Sequence, residues 1–191
     1  GVDTTGSTPI PVFADCSPLA ASKQFSRNLN AFAWMWKDHT SIDEAGRITR
    51  LASDTRPHYL RRCGGVYSPE WFWAKAWHCL NVDEEVFDAA HTWLEFCDFI
   101  PATLAGIDDP AKIKRSVCPA GHKAMFCEEW GGLPDKEFLA ALHPKLAALR
   151  DRLYDHAHTS DETAGRLCAK WADMFGLPKG IPVAVGAMDA H

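Results

Sequence analysis

Short apolar runs alternate with helix-periodic segments along this sequence, and that alternation constrains its fold more than any other feature. Ala31 to Trp36 (AFAWMW) reads as a buried strand opening into the polar cluster Lys37-Asp38-His39-Thr40. Ser41 and Glu44 then make a capping box, with Ile42, Ala45, Ile48, Leu51 and Ala52 following at helical spacing to about Ser53. Ser68-Pro69-Glu70 starts a second helix, WFWAKAWHCL, aromatic on most of its faces. Asp83 caps a shorter helix, and Thr92 to Cys97 (TWLEFC) reads as a strand. Asp98 either ends that strand or caps the helix FIPATLAG, which Gly106 closes. TPIPVF, at 8–13, carries two prolines and fits only an edge strand.

Residues 107–134 show little periodicity and read as a long, ordered, irregular region. Asp135 starts a helix that Pro144 breaks and restarts, with Leu146, Leu149 and Leu153 on one face. Ser160 or Thr163 caps a last helix, which buries Leu167, Trp171, Met174 and Phe175 and stops at Gly176. The final strand covers 183–186. Strands alternating with helices predict an α/β fold with a parallel or mixed sheet flanked by helices.

Composition excludes several classes. The net charge is −5, and Lys and Arg are scattered apart from Lys112, Lys114 and Arg115, so no nucleic-acid footprint is present. No run of eighteen apolar residues marks a membrane span. The opening GVDTTGS has neither a basic nor an apolar region of the kind a signal peptide needs. Seven widely spaced cysteines with no CxxC pattern read as thiols in a reducing cytosol. Eight tryptophans are unusual: Trp34 and Trp36, then Trp71, Trp73 and Trp77, form two tight groups. Tryptophan stacks on sugar faces, but it is first of all a large core residue.

In open α/β sheets ligands sit at the carboxyl ends of strands. Two stretches fit. One is Trp36-Lys37-Asp38-His39. The other is Asp189, after IPVAVG, where Gly186 and Ala187 permit close approach of backbone or ligand. An Asp there could accept a proton from a hydroxyl, or merely cap the next element. Lys123, in Gly121-His122-Lys123, could hold a hydroxyl, carbonyl or phosphate, or simply be exposed in a loop. Cys118 and His122 lie four apart without a second pair, which argues against a metal. GVDTTGS lacks both GxxxxGK[ST] and GxGxxG, so it is a weak phosphate-loop signal.

Six blocks in order carry a further resemblance: GVDTTGSTPIPV, NAFAWMWKDHT, YSPEWFWAKAWH, CDFIPATLAG, AGHKAMF with EEWGGLP, and VGAMDAH. Together they resemble the L-ribulokinases of the FGGY carbohydrate kinase family, whose fold is actin-like (ribonuclease-H-like). Xylulokinases and glycerol kinases carry other residues at TTGST. The resemblance covers residues 1–191 and implies roles for particular positions. Asp189 matches the catalytic aspartate, the acceptor of the proton of the sugar 5-hydroxyl. Lys123, in AGHKA, matches the lysine on the sugar, and Trp36, in WKDHT, a tryptophan near it. TGSTPIP lines the same pocket, with a small residue common in the family where this chain has Ile10.

The resemblance also implies that residues 1–191 are the later part of the N-terminal, sugar-binding domain. The phosphate-loop hairpin and the C-terminal nucleotide domain would lie outside them. The intact enzyme would phosphorylate L-ribulose, a step of L-arabinose catabolism, with ATP and Mg2+. It would be a cytoplasmic homodimer with a small ketopentose as its partner, and with neither nucleic acid nor membrane. A kinase for another ketopentose (D-ribulose or xylulose) and a non-catalytic sugar-binding module remain as alternatives.

Overall fold

A computed structural model describes residues 1–189. Ala190 and His191, the end of the GAMDAH block, lie outside the described residues. The elements are β1 (Asp3–Thr4), β2 (Pro9–Val12), α1 (Ile42–Thr55), α2 (Phe72–Val82), α3 (Glu84–Ala89) and β3 (Thr92–Glu95). There follow α4 (Phe96–Ala105), α5 (Val117–Ala124), α6 (Lys136–Leu142), α7 (Pro144–Arg150), β4 (Thr163–Arg166), α8 (Ala169–Phe175), β5 (Pro182–Ala184) and β6 (Ala187–Met188). The mixed α/β character holds, with short sheets: β1–β6 is parallel, whereas β2–β3 and β4–β5 are antiparallel.

The main core lies among the helices. Ala45, Ile48 and Ala52 line the buried face of α1. They pack with Trp73 and Trp77 of α2, Phe138 and Leu139 of α6, and Leu146 and Leu149 of α7. The aromatic runs therefore serve the core first: Trp73 and Trp77 are almost wholly buried, while Trp36 stays 40% exposed. A smaller apolar cluster sits over β2 and β3, built from Ile10, Val12, Leu94, Ala102 and Ile113. No disulfide joins the seven cysteines.

Several helix boundaries follow their local chemistry. The Asp83 carboxylate accepts from Val86 N (3.2 Å) at the start of α3, and the Asp135 carboxylate accepts from Phe138 N (2.8 Å) at the start of α6. Pro144 opens α7, with the His143 ring accepting from Lys145 N. Gly106 and Gly176, in left-handed conformation, end α4 and α8.

Other expectations fail for identifiable reasons. AFAWMW is not a strand. Thr8 and Val12 accept from Phe96 N and His91 N on the β3 side, which leaves the prolines on the outer edge of β2. Proline has no N–H to donate there. A single backbone bond, Trp34 N to Pro9 O (3.0 Å), joins the run to β2, and Leu29–Ala31 forms a 3-10 turn instead. The capping box at Ser41 does not form, because the Ser41 hydroxyl donates to Pro69 O and the Glu44 carboxylate receives Asn81. The second helix starts at Phe72 rather than at Ser68-Pro69, and Ser68 Oγ accepts from Glu70 N. Thr163, expected as a helix cap, begins β4, and the helix follows only from Ala169. The 107–134 region contains α5, so Lys123 lies on a helix and not in a loop.

The final strand expected at 183–186 divides into β5, paired with β4, and β6, paired with β1, with Gly186 between them. A Cβ at this position would stand 2.0 Å from the backbone oxygen of Cys97 at the start of α4. The close approach expected at Gly186 is thus an approach of backbone, and no rotamer could relieve an added methyl. Gly186→Ala is expected to lower the unfolding free energy by at least about 2 kcal/mol, measured by urea denaturation of the 191-residue chain. An unchanged midpoint and slope would contradict this packing.

Candidate functional site

β1 and β6 run parallel in the register Asp3 to Ala187 and Thr4 to Met188, so their carboxyl ends open on the same side. Asp189 follows β6 directly, exposed to solvent, and its N–H donates to Thr4 O (2.8 Å). The segment Thr5-Gly6-Ser7 follows β1 on the same side. This is the strand-end placement the sequence predicted for an acid at position 189.

Trp36 comes to this corner from another part of the chain. A Cβ at Gly6 would meet Trp36 Cβ at 3.2 Å, so the tryptophan rests against the glycine backbone. The Lys37 ammonium stands 5.9 Å from the Trp36 ring centroid. Below lies a buried polar network. The Glu95 carboxylate accepts from Ser7 Oγ (2.6 Å) and from Thr8 N (2.8 Å). Lys75 Nζ donates to Ser7 O (2.8 Å) and Met35 O (2.7 Å). Lys75 thus ties the residue before Trp36 to the segment after β1.

Both charges are costly to bury and shift accordingly. Burial raises the Glu95 carboxyl, opposed by the Ser7 hydrogen bond and by the charges of Lys75 and Lys123. Burial pushes the Lys75 ammonium down to about 8, opposed by Glu95 and Asp38. The charge of Lys123 favours ionised Glu95 and Cys118 and disfavours the Lys75 ammonium. Lys123 is half-buried in the last turn of α5.

α5 is fixed at its start by a second buried acid. The Asp98 carboxylate accepts from Ser116 N (2.7 Å) and from Arg115 Nη1 (3.4 Å), and Arg115 Nη2 donates to Trp93 O (2.9 Å). Ser116 Oγ in turn caps α5 by accepting from Cys118 N. Burial pushes Asp98 up to about 7, with the Arg115 charge pulling the other way. At the other edge of α5, Met188 N donates to Cys118 Sγ (3.2 Å), so the helix touches the strand that carries Asp189. A cavity of about 380 Å³ opens there, lined among others by Ser116, Cys118, His122, Thr159 and Ala187.

Of the four residues singled out by sequence, Asp189 follows β6, Trp36 rests on Gly6 just after β1, the strand paired with β6, and Lys123 lies on α5, which Met188 joins through Cys118. Ile10 does not join them by its side chain, which is 4% exposed in the apolar cluster with Val12 and Leu94. Sequence reasoning missed Lys75, Glu95 and Ser7. A signal was available, since a single lysine inside WFWAKAW and a single acid inside TWLEFC are charges with no exposed face to occupy. Among the described residues no group of three His, Cys, Asp or Glu could hold a metal ion. Ser7 Oγ and Thr8 N serve the Glu95 carboxylate and so are not donors available to a phosphate.

No family model matches the chain. Curated proteins do. The chain is 50% identical over its whole length to a ribulokinase of Vibrio parahaemolyticus, spanning 34% of that protein. It is 38% identical to a ribulokinase of Shouchella clausii and 35% identical to one of Mycolicibacterium smegmatis, each time over all of this chain and 33% of the relative. The chain thus spans about a third of the length of the curated relatives it matches. Among solved structures, a xylulose kinase from Rhodospirillum rubrum superposes with a TM-score of 0.70 at 20% identity, covering 100% of this chain and 35% of the other. A gluconate kinase from Lactobacillus acidophilus gives 0.68 at 16% identity, covering 98% of this chain and 33% of the other. These two speak for the fold alone. From end to end, then, the chain is similar to one third of a ribulokinase and has the fold of the sugar kinases.

Proposed function

We propose that this chain supplies the sugar-binding side and the catalytic base of an L-ribulokinase, working as the later part of its N-terminal domain. What supports the reading is the place of Asp189 at the carboxyl end of a parallel strand pair, with β6 bonded through Met188 to the helix that carries Lys123 and β1 leading into Gly6 against Trp36. The identity of 50% to a ribulokinase supports the choice of sugar.

In this reading the exposed Asp189 carboxylate accepts the proton of the sugar 5-hydroxyl, leaving that oxygen as a nucleophile. Lys123 donates to a sugar oxygen and fixes its position. Trp36 offers an apolar wall to the carbon face of the sugar. When bound, ATP with Mg2+ supplies the phosphoryl group. We place its binding on the part of the protein outside these residues, since the Ser7–Thr8 donors here are spent on Glu95. Positioning and charge stabilisation carry most of such a transfer, so one well-aimed base suffices. The reading includes a cytoplasmic enzyme, a homodimer at full length, with no nucleic-acid or membrane partner. Among the described residues no helix is long and apolar enough to cross a membrane.

The test uses a protein of full ribulokinase length carrying this segment. Asp189→Asn is expected to lower kcat by about 10³-fold with the sugar KM within about threefold. A variant retaining kcat within tenfold would remove Asp189 from the chemistry. Turnover of the four 2-ketopentoses side by side is expected to favour L-ribulose, and a preference for D-ribulose or xylulose would reassign the substrate.

Lys75 gives this site a pH signature. Its folded pKa, near 8, lies below its ordinary value of 10.5. Between those values the unfolded chain holds the proton more tightly, so stability rises with pH through that window. Urea unfolding of the 191-residue chain is expected to show it gaining on Lys75→Met from pH 8 to about 10, by up to roughly 1.4 kcal/mol per pH unit. Parallel curves for the two proteins would show that Lys75 is not titrating in this burial.

A further inference from the structure

The end of α5 is built in an unusual way. A helix leaves its last carbonyls without helical partners. Here His122, Lys123, Ala124 and the following Met125 each have a carbonyl in contact with a side chain from elsewhere. Cys63 Sγ lies 3.3 Å from His122 O. The Tyr67 hydroxyl donates to Lys123 O. Trp73 Nε1 donates to Ala124 O (2.9 Å), and Trp130 Nε1 donates to Met125 O (3.1 Å). The Tyr67 hydroxyl also accepts from Trp73 N (3.0 Å), which locks its orientation. Met125 itself is left-handed, at φ 55, a conformation a buried methionine adopts only under constraint.

Two of the donors are dry. Tyr67 and Trp73 are buried, and Trp73 belongs to the aromatic helix whose residues otherwise fill the core. Burial holds the Tyr67 hydroxyl well above its ordinary pKa, so it stays a protonated donor. A helix end of two turns would fray if left to solvent. This one is fastened carbonyl by carbonyl, over the turn that carries Lys123.

We infer that Tyr67, with Trp73 and Trp130, is a positioning residue for Lys123: by holding consecutive carbonyls of the α5 terminus it fixes the backbone from which the sugar-contacting ammonium projects. The inference rests on the reading of Lys123 as a sugar contact. It assigns the aromatic cluster a task beyond filling the core. Tyr67→Phe removes the hydroxyl and keeps the ring. Trp130→Phe removes the indole N–H together with part of the ring at a half-buried position.

The experiment is a double-mutant cycle in the full-length protein carrying this segment, with L-ribulose as the varied substrate. Tyr67→Phe is expected to raise the sugar KM about tenfold with kcat within about threefold, and Trp130→Phe to raise it by a smaller factor. In a Lys123→Ala background, Tyr67→Phe is expected to raise KM no further, because its effect passes through the amine. An equal rise in both backgrounds, or no rise in either, would overturn the inference. A core variant with a matching loss of stability, Leu149→Ala, is expected to leave the sugar KM unchanged; a tenfold rise there would reduce the Tyr67 effect to general destabilisation and overturn the inference as well. A second arm needs no sugar. Nuclear magnetic resonance of the 191-residue chain with 13C-methylated lysines is expected to show the Lys123 signal, assigned through Lys123→Arg, shifted or broadened in Tyr67→Phe. An unchanged signal would overturn the positioning role. If the full-length protein turns over no ketopentose, the functional reading fails and the resonance arm alone decides the positioning.

Discussion

The site depends on a buried exchange of charge and hydrogen bonds centred on Ser7. The Ser7 hydroxyl and the next N–H satisfy Glu95, while the Ser7 carbonyl receives Lys75. Neither charge is cheap to bury, and neither reaches water. Each is retained because its partners, the Ser7 hydroxyl and Thr8 N for Glu95 and two backbone carbonyls for Lys75, would themselves be orphaned without it. The result is a rigid floor under the segment after β1, extended by Lys75 to Met35 and so to Trp36. Removing one member would leave buried, unpaired polar groups and loosen both the segment after β1 and the residue before Trp36 at once.

The helix elements were legible where a side chain acts locally. Asp83, Asp135, Pro144, Gly106 and Gly176 all punctuate helices as their chemistry predicts, because caps and left-handed turns are decided within a few residues. The errors arose where a distant partner outbid the local one. Ser41 was claimed by Pro69 O, and Glu44 by Asn81 and His78. AFAWMW looked like a strand, but the edge it would join is made of prolines. No local pattern carries such information, since register between β2 and neighbouring segments is a property of the assembled sheet.

The candidate site was legible in part for a related reason. Asp189 announced itself as an acid directly after an apolar strand containing a glycine, and the structure puts it at the end of a parallel pair. Lys123 was a weak candidate on its local pattern, Gly121-His122-Lys123, and the family resemblance singled it out, because its helix lies in a stretch without clear periodicity. Lys75, Glu95 and Ser7 escaped notice because their importance is relational. Ile10 marks the reverse case: a position carried over from the family whose side chain packs into the apolar cluster. The tryptophans were read mainly as core, and three of the five are core. What sequence could not show is that Trp73 spends its N–H on the helix end beneath Lys123.

The central claim is that Asp189, Lys123 and Trp36 form one wall of a sugar site. A crystal structure of a full-length protein carrying this segment, bound to L-ribulose, tests it most directly. The account predicts the sugar 5-hydroxyl within hydrogen-bond reach of the Asp189 carboxylate, about 3 Å, with Lys123 on a sugar oxygen and Trp36 against the carbon chain. A sugar bound away from the carboxyl ends of β1 and β6, with Asp189 turned to solvent, would contradict it.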